Sequence, residues 1–232
     1  MKLSKRLECI ASLIEKYASG LVLADIGTDH GYLPCYLVKH QITPFAYACD
    51  IAIGPINSSK ATIQSMKLEN QVIPCLGSGL TPVLKFPVEV VSISGMGGFL
   101  MEDIFKEDLI KMKNLKFLIL QPNICSHIVR EYLLNHGWSI LDEDVVEDAN
   151  HLYEVIVFKN ERCHDVMKTP INYKFGPVLL KTKPDMFIKK WERELIVKER
   201  ILNDLKNTPN HPKYKEIQNE IKEIKEAIYD CK

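Results

Sequence analysis

The sequence lacks an excess of charge of either sign, and it also lacks cysteines spaced for a metal site. Its 232 residues contain 30 Lys and Arg residues against 30 Asp and Glu residues, so the formal net charge is zero. This balance excludes an electrostatic field spread over the whole chain, and any surface that attracts nucleic acid must be local. The seven cysteines are scattered and include no Cys-x-x-Cys pair. We therefore predict reduced thiols in a cytoplasmic protein rather than a disulfide framework or a zinc site.

A long apolar run and a signal peptide are also missing. No run approaches the length of a membrane-spanning helix, and the charged residues near the start fall within a helical pattern. The histidines show no ligand spacing, so we expect no metal. Hydrophobic residues nevertheless make up 46% of the chain, which is typical of a protein that buries a full core. We expect a globular protein that makes no use of a membrane.

Short apolar runs alternate with helical patterns over most of the chain. A helix is predicted over residues 3–18, and the apolar run at 21–26 suits a strand buried on both faces of a parallel sheet. The same pattern continues further along: strands are predicted at 45–50, 72–76, 88–94 and 117–121, and helices over 54–69, from about 99, and up to 136. Such alternation requires crossover connections and predicts a doubly wound α/β sheet.

Two closing runs, at 139–146 and 152–159, leave no room for a helix between them and are predicted to pair antiparallel. A parallel sheet that ends in such a hairpin is typical of class I methyltransferases, whereas plain dinucleotide-binding folds usually lack it. We therefore predict a Rossmann-like class I methyltransferase domain over residues 1–160, with S-adenosylmethionine as its cofactor.

Residues 161–232 are predicted to form a second, helical domain. Residues 159–190 carry eight basic side chains against three acidic ones, a local charge of +5, and form either a basic surface or a linker. Apolar residues then recur every three or four positions from Met186 and again from Tyr214, on either side of a turn at 207–212. This pattern predicts an antiparallel helical hairpin, or coiled coil.

The strongest local signal is the segment Asp-Ile-Gly-Thr-Asp-His-Gly-Tyr-Leu-Pro at 25–34, which follows the first strand and opens a helix. Glycines there let a ligand approach the backbone, and the carboxyl end of the first strand is where open α/β sheets bind ligands. The glycine spacing differs from GxGxxG and argues against NAD. The predicted cofactor-binding residues of this loop are Asp25, Gly27, Thr28, His30 and Gly31.

Later strands end in further candidate residues. A carboxylate such as Asp50, at the end of the second strand, commonly binds ribose hydroxyls, although a helix cap or a solvated loop residue is the alternative. Three glycines within residues 94–98 indicate close backbone approach after the fourth strand. Asn123 after the fifth strand either bonds a base edge or caps a helix. The predicted cofactor-binding residues of these loops are Asp50, Ile51, Ser78, Gly79, Ser94, Gly95 and Met96, and the predicted substrate-binding residues are Gly97, Gln121 and Asn123.

In these motifs the sequence resembles the bacterial tRNA (adenine(22)-N(1))-methyltransferases. The resemblance runs in order over nearly all of residues 1–160, and the helical hairpin matches the family's C-terminal coiled coil by pattern. It departs at Ser78, where the family usually carries an acidic residue. The motifs that carry it are 25–34, Ile93-Ser-Gly-Met-Gly-Gly98, Leu120-Gln-Pro-Asn123, Gly137-Trp138, Tyr153-Glu154 and the opening Leu3-Ser-Lys-Arg-Leu7.

The resemblance implies methyl transfer from S-adenosylmethionine to N1 of adenine 22 in the D-arm region of tRNA. Asp29 is then the candidate catalytic residue, because a carboxylate beside the base stabilises the arriving positive charge or takes a proton from N6. Binding the ammonium group of the cofactor is its alternative role. Tyr32 or Met96 is expected to pack on the target base, and Lys5 and Arg6, with basic residues of the hairpin, are expected to contact tRNA phosphates.

Two other functions stay open at this point. One is methylation of a small molecule, although the basic stretch and the hairpin argue against it. The other is a non-catalytic RNA-binding protein that keeps a cofactor pocket. For the favoured function we expect a cytoplasmic monomer that needs neither a metal nor a membrane.

Overall fold

The structure, a computed structural model, describes residues 2–112, 114–161, 167–206 and 211–229. Its strands are β1 (Leu23–Ile26), β2 (Ala46–Asp50), β3 (Val72–Leu76), β4 (Val90–Met96), β5 (Phe117–Pro122), β6 (Ser139–Asp148) and β7 (His151–Lys159). Its helices are α1 (Lys5–Ala18), α2 (Tyr32–Lys39), α3 (Ile53–Ser65), α4 (Gly98–Asp108), α5 (Ser126–Asn135), α6 (Pro170–Phe175), α7 (Pro177–Thr182), α8 (Asp185–Asp204) and α9 (Pro212–Tyr229). Within these ranges no helix is long and apolar enough to cross a membrane.

One sheet with the strand order β3-β2-β1-β4-β5-β7-β6 organises the protein. Strands β1 to β5 are parallel, and β7 runs antiparallel to both β5 and β6. The predicted sheet and its closing hairpin are therefore confirmed. The order reverses at β1, which lies between β2 and β4, and a crevice for ligands is expected where strands diverge in this way.

Helices cover both faces of the sheet. Along β5, Leu118 and Leu120 belong to one apolar core and Ile119 belongs to the other, as alternation of side chains along a strand requires. Helices α4 and α5 fill the first core, for example with Phe105 and Leu133, whereas α1 and α2 fill the second. Both faces are thus buried, which explains why the parallel strands are continuous apolar runs.

Helix α1 docks on the strand that is last in the sheet order. The ammonium of Lys16 lies 3.0 Å from Asp142 Oδ2 of β6, and the Tyr17 hydroxyl donates to the same oxygen at 2.6 Å. Near the start of the helix, the backbone N–H of Arg6 donates to Asp148 Oδ2 at 3.4 Å. The first helix of the chain is therefore positioned by residues more than 120 positions later.

Two boundaries differ from those predicted. Helix α3 ends at Ser65 rather than near residue 69, because Lys67 adopts a φ of 58° and the Leu68 N–H bonds to the carbonyl of Ile63 at 3.1 Å. This is a helix stop that usually involves glycine. Strands β6 and β7 are longer than predicted and meet at Ala149-Asn150, where both residues have positive φ, as in a tight two-residue hairpin turn.

The helical hairpin is confirmed by side-chain contacts whose order is reversed between α8 and α9. Near the start of α8, Glu192 accepts a hydrogen bond from the Tyr229 hydroxyl at the end of α9, and further along α8, Lys198 pairs at 2.8 Å with Glu220, which lies earlier in α9. Of the turn predicted at 207–212, residues 207–210 lie outside the described residues.

The linker interpretation of residues 159–190 is wrong for the described part of that stretch. Helices α6 and α7 occupy it, and their side chains Phe175 and Leu179 are fully buried. They pack with Trp191 of α8 and Ile224 of α9 into a third apolar core that includes Val145 of β6. The helical part therefore packs directly on the β6 end of the sheet.

A buried ionic network fixes this packing. The guanidinium of Arg130 on α5 is fully buried and donates to Glu143 of β6 and Glu154 of β7, each at 2.7 Å, and to the carbonyl of Tyr173 at 3.1 Å. Lys190 of α8 also pairs with Glu154. Burial alone would raise the pKa of Glu154, but these two cations lower it to about 2.

Replacing Arg130 by Met should lower the free energy of unfolding by about 3–5 kcal/mol, because Glu143 and Glu154 would lose a buried cation. Urea denaturation followed by circular dichroism measures the change. Lys225→Met removes an exposed pair with Glu199 and should change the same free energy by less than about 1 kcal/mol. Equal effects of the two substitutions would show that the buried network does not hold the fold.

Candidate active site

A cleft of about 340 Å³ opens over the carboxyl ends of β1 and β4. Ten of its lining residues are predicted site residues, contributed by α1, by the carboxyl ends of β1 and β4, by the segment from β1 into α2 and by the loop after β5. The full lining is Arg6, Leu7, Asp25, Gly27, Thr28, Asp29, His30, Tyr32, Leu33, Ser94, Gly95 and Asn123. A larger depression of about 660 Å³ at the amino ends of the same strands contains no predicted site residue, and its Glu89 and Lys116 pair with each other.

The loop after β1 takes a conformation that depends on its glycines. Gly27 and Gly31 have φ values of 75° and 68°, and a Cβ on them would collide with the side chains of Met96 and Ser59. Between them, Asp29 also has a positive φ of 52°. This backbone turns the chain from the end of β1 into α2, whose N-cap is Gly31.

Two side chains of this loop stand at the mouth of the cleft. The carboxylate of Asp29 is 70% exposed and lies 3.5 Å from Nε2 of His30. The His30 ring in turn stacks on Tyr32, with 5.1 Å between the ring centroids. The candidate catalytic carboxylate is therefore free to meet a large substrate at the protein surface.

Asp25 is the buried carboxylate of the cleft. It is 4% exposed, and Oδ1 accepts a hydrogen bond from the Ser92 hydroxyl at 2.7 Å. Burial raises the pKa of Asp25 to about 6, although the Ser92 bond opposes this effect, and Asp50 raises it further. A buried anion without a cationic partner favours a ligand that brings positive charge.

Asp50 joins the loops after β1 and β2. Its Oδ2 accepts from the Asp29 N–H at 3.4 Å, and its Oδ1 accepts from the Ala52 N–H at 3.0 Å. The N-cap of α3 is Ala52, which makes no side-chain cap bond, so Asp50 is not the cap of that helix. Its remaining lone pairs are available for ribose hydroxyls.

The carboxyl ends of β4 and β5 are tied together by two amides. Gln121 is fully buried; its Oε1 accepts from the Gly95 N–H at 3.1 Å, and its Nε2 donates to Asn123 Oδ1 at 3.2 Å. Asn123 donates to the Gly95 carbonyl at 2.7 Å. The helix-capping alternative for Asn123 is wrong, because α5 begins after Cys125. Gln121 therefore fixes Gly95 and Asn123 relative to each other, and the Asn123 amide lines the cleft.

The structure leaves several predicted residues outside the lining of this cleft. Lys5 and Ile51 are exposed to solvent, Ser78 and Gly79 follow β3 further along the sheet edge, and Gly97 packs near Ile124. Gly31 and Met96 also lie outside the lining: Gly31 lies against Ser59, and Met96 lies against Gly27. Sequence analysis missed Ser92, whose signal was a polar residue inside a buried apolar strand, and Tyr153, whose ring lies under Arg6.

These groups fit the parts of S-adenosylmethionine. Asp25 and Asp29 offer acceptors for an ammonium group, and the backbone of Gly27 and Gly95 lines the cleft beside them. Asp50 lies outside the lining but bonds to the Asp29 N–H, and it offers acceptors for ribose. Among the residues that the structure describes, no group of three His, Cys, Asp or Glu side chains is placed to hold a metal.

The strand order with an antiparallel β7, and this cleft at the carboxyl edge, define a class I S-adenosylmethionine-dependent methyltransferase. Residues 23–226 match the model of one family within that class, and the chain belongs to the tRNA (adenine(22)-N(1))-methyltransferases. The predicted family is thereby confirmed over both the sheet and the helical hairpin.

Relatives in three organisms are similar to the chain over its whole length. The tRNA (adenine(22)-N(1))-methyltransferase of Bacillus subtilis (strain 168) is 34% identical over 235 residues, which cover 98% of each chain. The Streptococcus pneumoniae protein Sp1610, solved with S-adenosyl-L-methionine, is 31% identical with a TM-score of 0.88 and covers 98% of this chain and 100% of its own. The M. capricolum relative, solved with S-adenosyl-homocysteine, is 31% identical with a TM-score of 0.87 over 98% of each chain.

Asp25→Asn should stabilise the protein above pH 6. Because the folded-state pKa of Asp25 is raised from 3.8 to about 6, its ionised form costs stability, and this cost develops as pH rises from about 4 to 6. The variant should gain up to roughly 3 kcal/mol over the wild type at pH 8 and nothing at pH 3.5, as measured by urea denaturation.

Asp103→Asn, at an exposed aspartate of α4, is the matched control and should change stability little at either pH. A variant Asp25→Asn that is less stable than the wild type at pH 8 would contradict the assignment of a buried, charge-destabilised carboxylate.

Proposed function

We propose that the protein transfers the methyl group of S-adenosylmethionine to N1 of adenine 22 in tRNA. The observation that carries the proposal is the family match over residues 23–226, which takes in the cleft and the helical hairpin together. The relatives solved with S-adenosyl-L-methionine and S-adenosyl-homocysteine support the choice of cofactor.

The residues of the cleft suit attack by a neutral base on a cationic methyl donor. The bound cofactor supplies an electrophilic methyl group, and the base acquires the positive charge. The exposed carboxylate of Asp29 stabilises that charge or accepts a proton from N6 of the adenine. The stacked rings of His30 and Tyr32 offer an apolar face beside it. Holding N1 in line with the methyl group contributes much of the remaining acceleration.

The target base reaches this cleft only after it leaves its stack, because N1 lies on the pairing edge of adenine. We place the body of the tRNA, with its D-arm, across the mouth of the cleft and the helical hairpin. Exposed cations on both parts, such as Lys5 and, on α9, Lys213 and Lys215, contact its phosphates. The division of labour at residue 160, between a cofactor domain and a helical RNA-facing domain, is part of this proposal.

The other two functions are less well supported. A small-molecule methyltransferase has no use for the helical hairpin, and a non-catalytic protein has no use for the strained, glycine-dependent loop after β1. We also propose that the protein acts in the cytoplasm as a monomer, which size-exclusion chromatography with light scattering tests directly.

Incubation with unmodified tRNA and S-adenosylmethionine, followed by nucleoside mass spectrometry, tests the activity. We expect 1-methyladenosine from tRNA that carries adenine at position 22, and none from the same tRNA with guanosine there. Methylation of both RNAs would contradict the assigned position. Absence of product, despite measured binding of the cofactor, would favour one of the two other functions.

Asp29→Asn should lower kcat about 100-fold or more, because the carboxylate charge beside the base is lost. The Kd for tRNA, measured by filter binding, should stay within about twofold, since one exposed carboxylate adds little to RNA affinity. The Kd for S-adenosylmethionine separates the two roles of Asp29. An unchanged cofactor Kd indicates action on the base, whereas a weakened one indicates an ammonium contact. An unchanged kcat would remove Asp29 from the reaction.

A further inference from the structure

An exposed isoleucine lies beside the mouth of the cleft. Ile124 directly follows Asn123, which lines the cleft, and its side chain is 67% exposed. Exposure alone would mean little, because single apolar side chains are common on protein surfaces, and Ile110, in the connection between α4 and β5, is 91% exposed. Ile124 differs from Ile110 because it belongs to a loop that contributes to the cleft, where a large substrate must arrive.

The backbone around Ile124 is fixed on both sides. Its carbonyl accepts from the Gly98 N–H at 2.9 Å, and the Asn123 N–H donates to the Met96 carbonyl at 2.8 Å. Cys125, the next residue, has a φ of 59°, and a Cβ on Gly98 would collide with its carbonyl oxygen. The loop after β5 therefore packs so closely on the start of α4 that Ile124 is held in one place.

The side chain of Ile124 lies where two hollows meet. Asn123 lines both the cleft and a second cavity of about 350 Å³, and Ile124 lines the second cavity, which residues 122–127 share with side chains of α8 and α9. Branching at Cβ restricts the rotamers of Ile124. A stiff apolar side chain on a fixed backbone, exposed at the junction of two hollows, has the form of a wedge.

A folded RNA that gives up one base has a matching requirement. Extrusion of adenine breaks its stacking, and the step it leaves closes again unless something occupies it. Proteins that unstack bases commonly insert apolar side chains such as isoleucine, leucine or phenylalanine at the step. Phe99 and Leu100, which follow Gly98 at the start of α4, are exposed as well. This side of the mouth therefore presents apolar atoms that suit the faces of bases.

We propose that Ile124 enters the base stack of the tRNA at the place that adenine 22 vacates. It is a positioning residue, because it contacts the neighbours of the target base and not the reacting atoms. The inference rests on the proposed function and adds the group that keeps the target base out of its stack. It assigns no contact with the cofactor.

Methylation kinetics with unmodified tRNA test this role by separating kcat from binding. Ile124→Ser should lower kcat about 10- to 100-fold, because the extruded state loses a buried isoleucine side chain. The Kd for tRNA, from filter binding, and the Kd for S-adenosylmethionine, from calorimetry, should stay within about twofold of the wild type. Ile124→Leu keeps an apolar side chain of the same volume and should retain more than about a third of the wild-type kcat.

A second RNA separates extrusion from other roles. A tRNA with an abasic nucleotide directly after adenine 22 lacks one stacking neighbour of that base, so extrusion costs less. On this RNA the single-turnover rate of Ile124→Ser should come within about threefold of the wild type. Ile110→Ser makes the same change at an exposed isoleucine outside the loop and should match the wild type on both RNAs. Thermal melts confirm that each variant is folded.

Three results would overturn the inference. A kcat for Ile124→Ser within about twofold of the wild type would show that extrusion does not need this side chain. An equal loss of rate on both RNAs, or a weaker Kd for S-adenosylmethionine, would show that Ile124 only shapes the site. Failure of the proposed function has a different signature, because the wild type itself would then form no 1-methyladenosine.

Discussion

A single buried guanidinium connects the two halves of this protein. Arg130 lies in the helix that follows the Asn123 loop, and it bonds to glutamates on both strands of the closing hairpin. Through Glu143 and Glu154 it also reaches the backbone of α7 and Lys190 of α8. The orientation of the C-terminal helices relative to the cleft therefore depends on this charged side chain together with the third apolar core and the pairs of Glu147 with Lys189 and Arg193.

Joining two parts of a fold through buried charges costs desolvation free energy. Apolar residues of the same volume would cost less desolvation, but they would not specify one orientation as strictly. The third apolar core, formed by residues such as Phe175 and Trp191, stabilises the packing of the helices against the β6 end of the sheet. The Arg130 bonds then select one arrangement among those that this core would allow.

The sheet and the position of the site could be predicted because both follow from simple constraints. Strands buried on two faces must be apolar throughout, and the loops after β1, β4 and β5 must meet because parallel strands end at one edge. The burial of Arg130 could not be predicted, since an arginine on an amphipathic helix normally faces solvent. The stop of α3 at Lys67 was missed because no glycine marks it. Helices α6 and α7 were missed because each has only six residues, which is too short to show a helical period.

The docking of α1 on β6 has a consequence for the order in which the molecule is assembled. Arg6 leaves the ribosome among the first residues, yet Asp142 and Asp148, which hold its helix, are made more than 120 residues later. Contacts so distant in sequence form late in folding and slow it. A nascent chain that already has β1 to β5 thus has a crevice with glycine loops and aspartates but no closed wall. The wall that Arg6 and Leu7 contribute to the cleft is complete only when the closing hairpin holds the N-terminal helix.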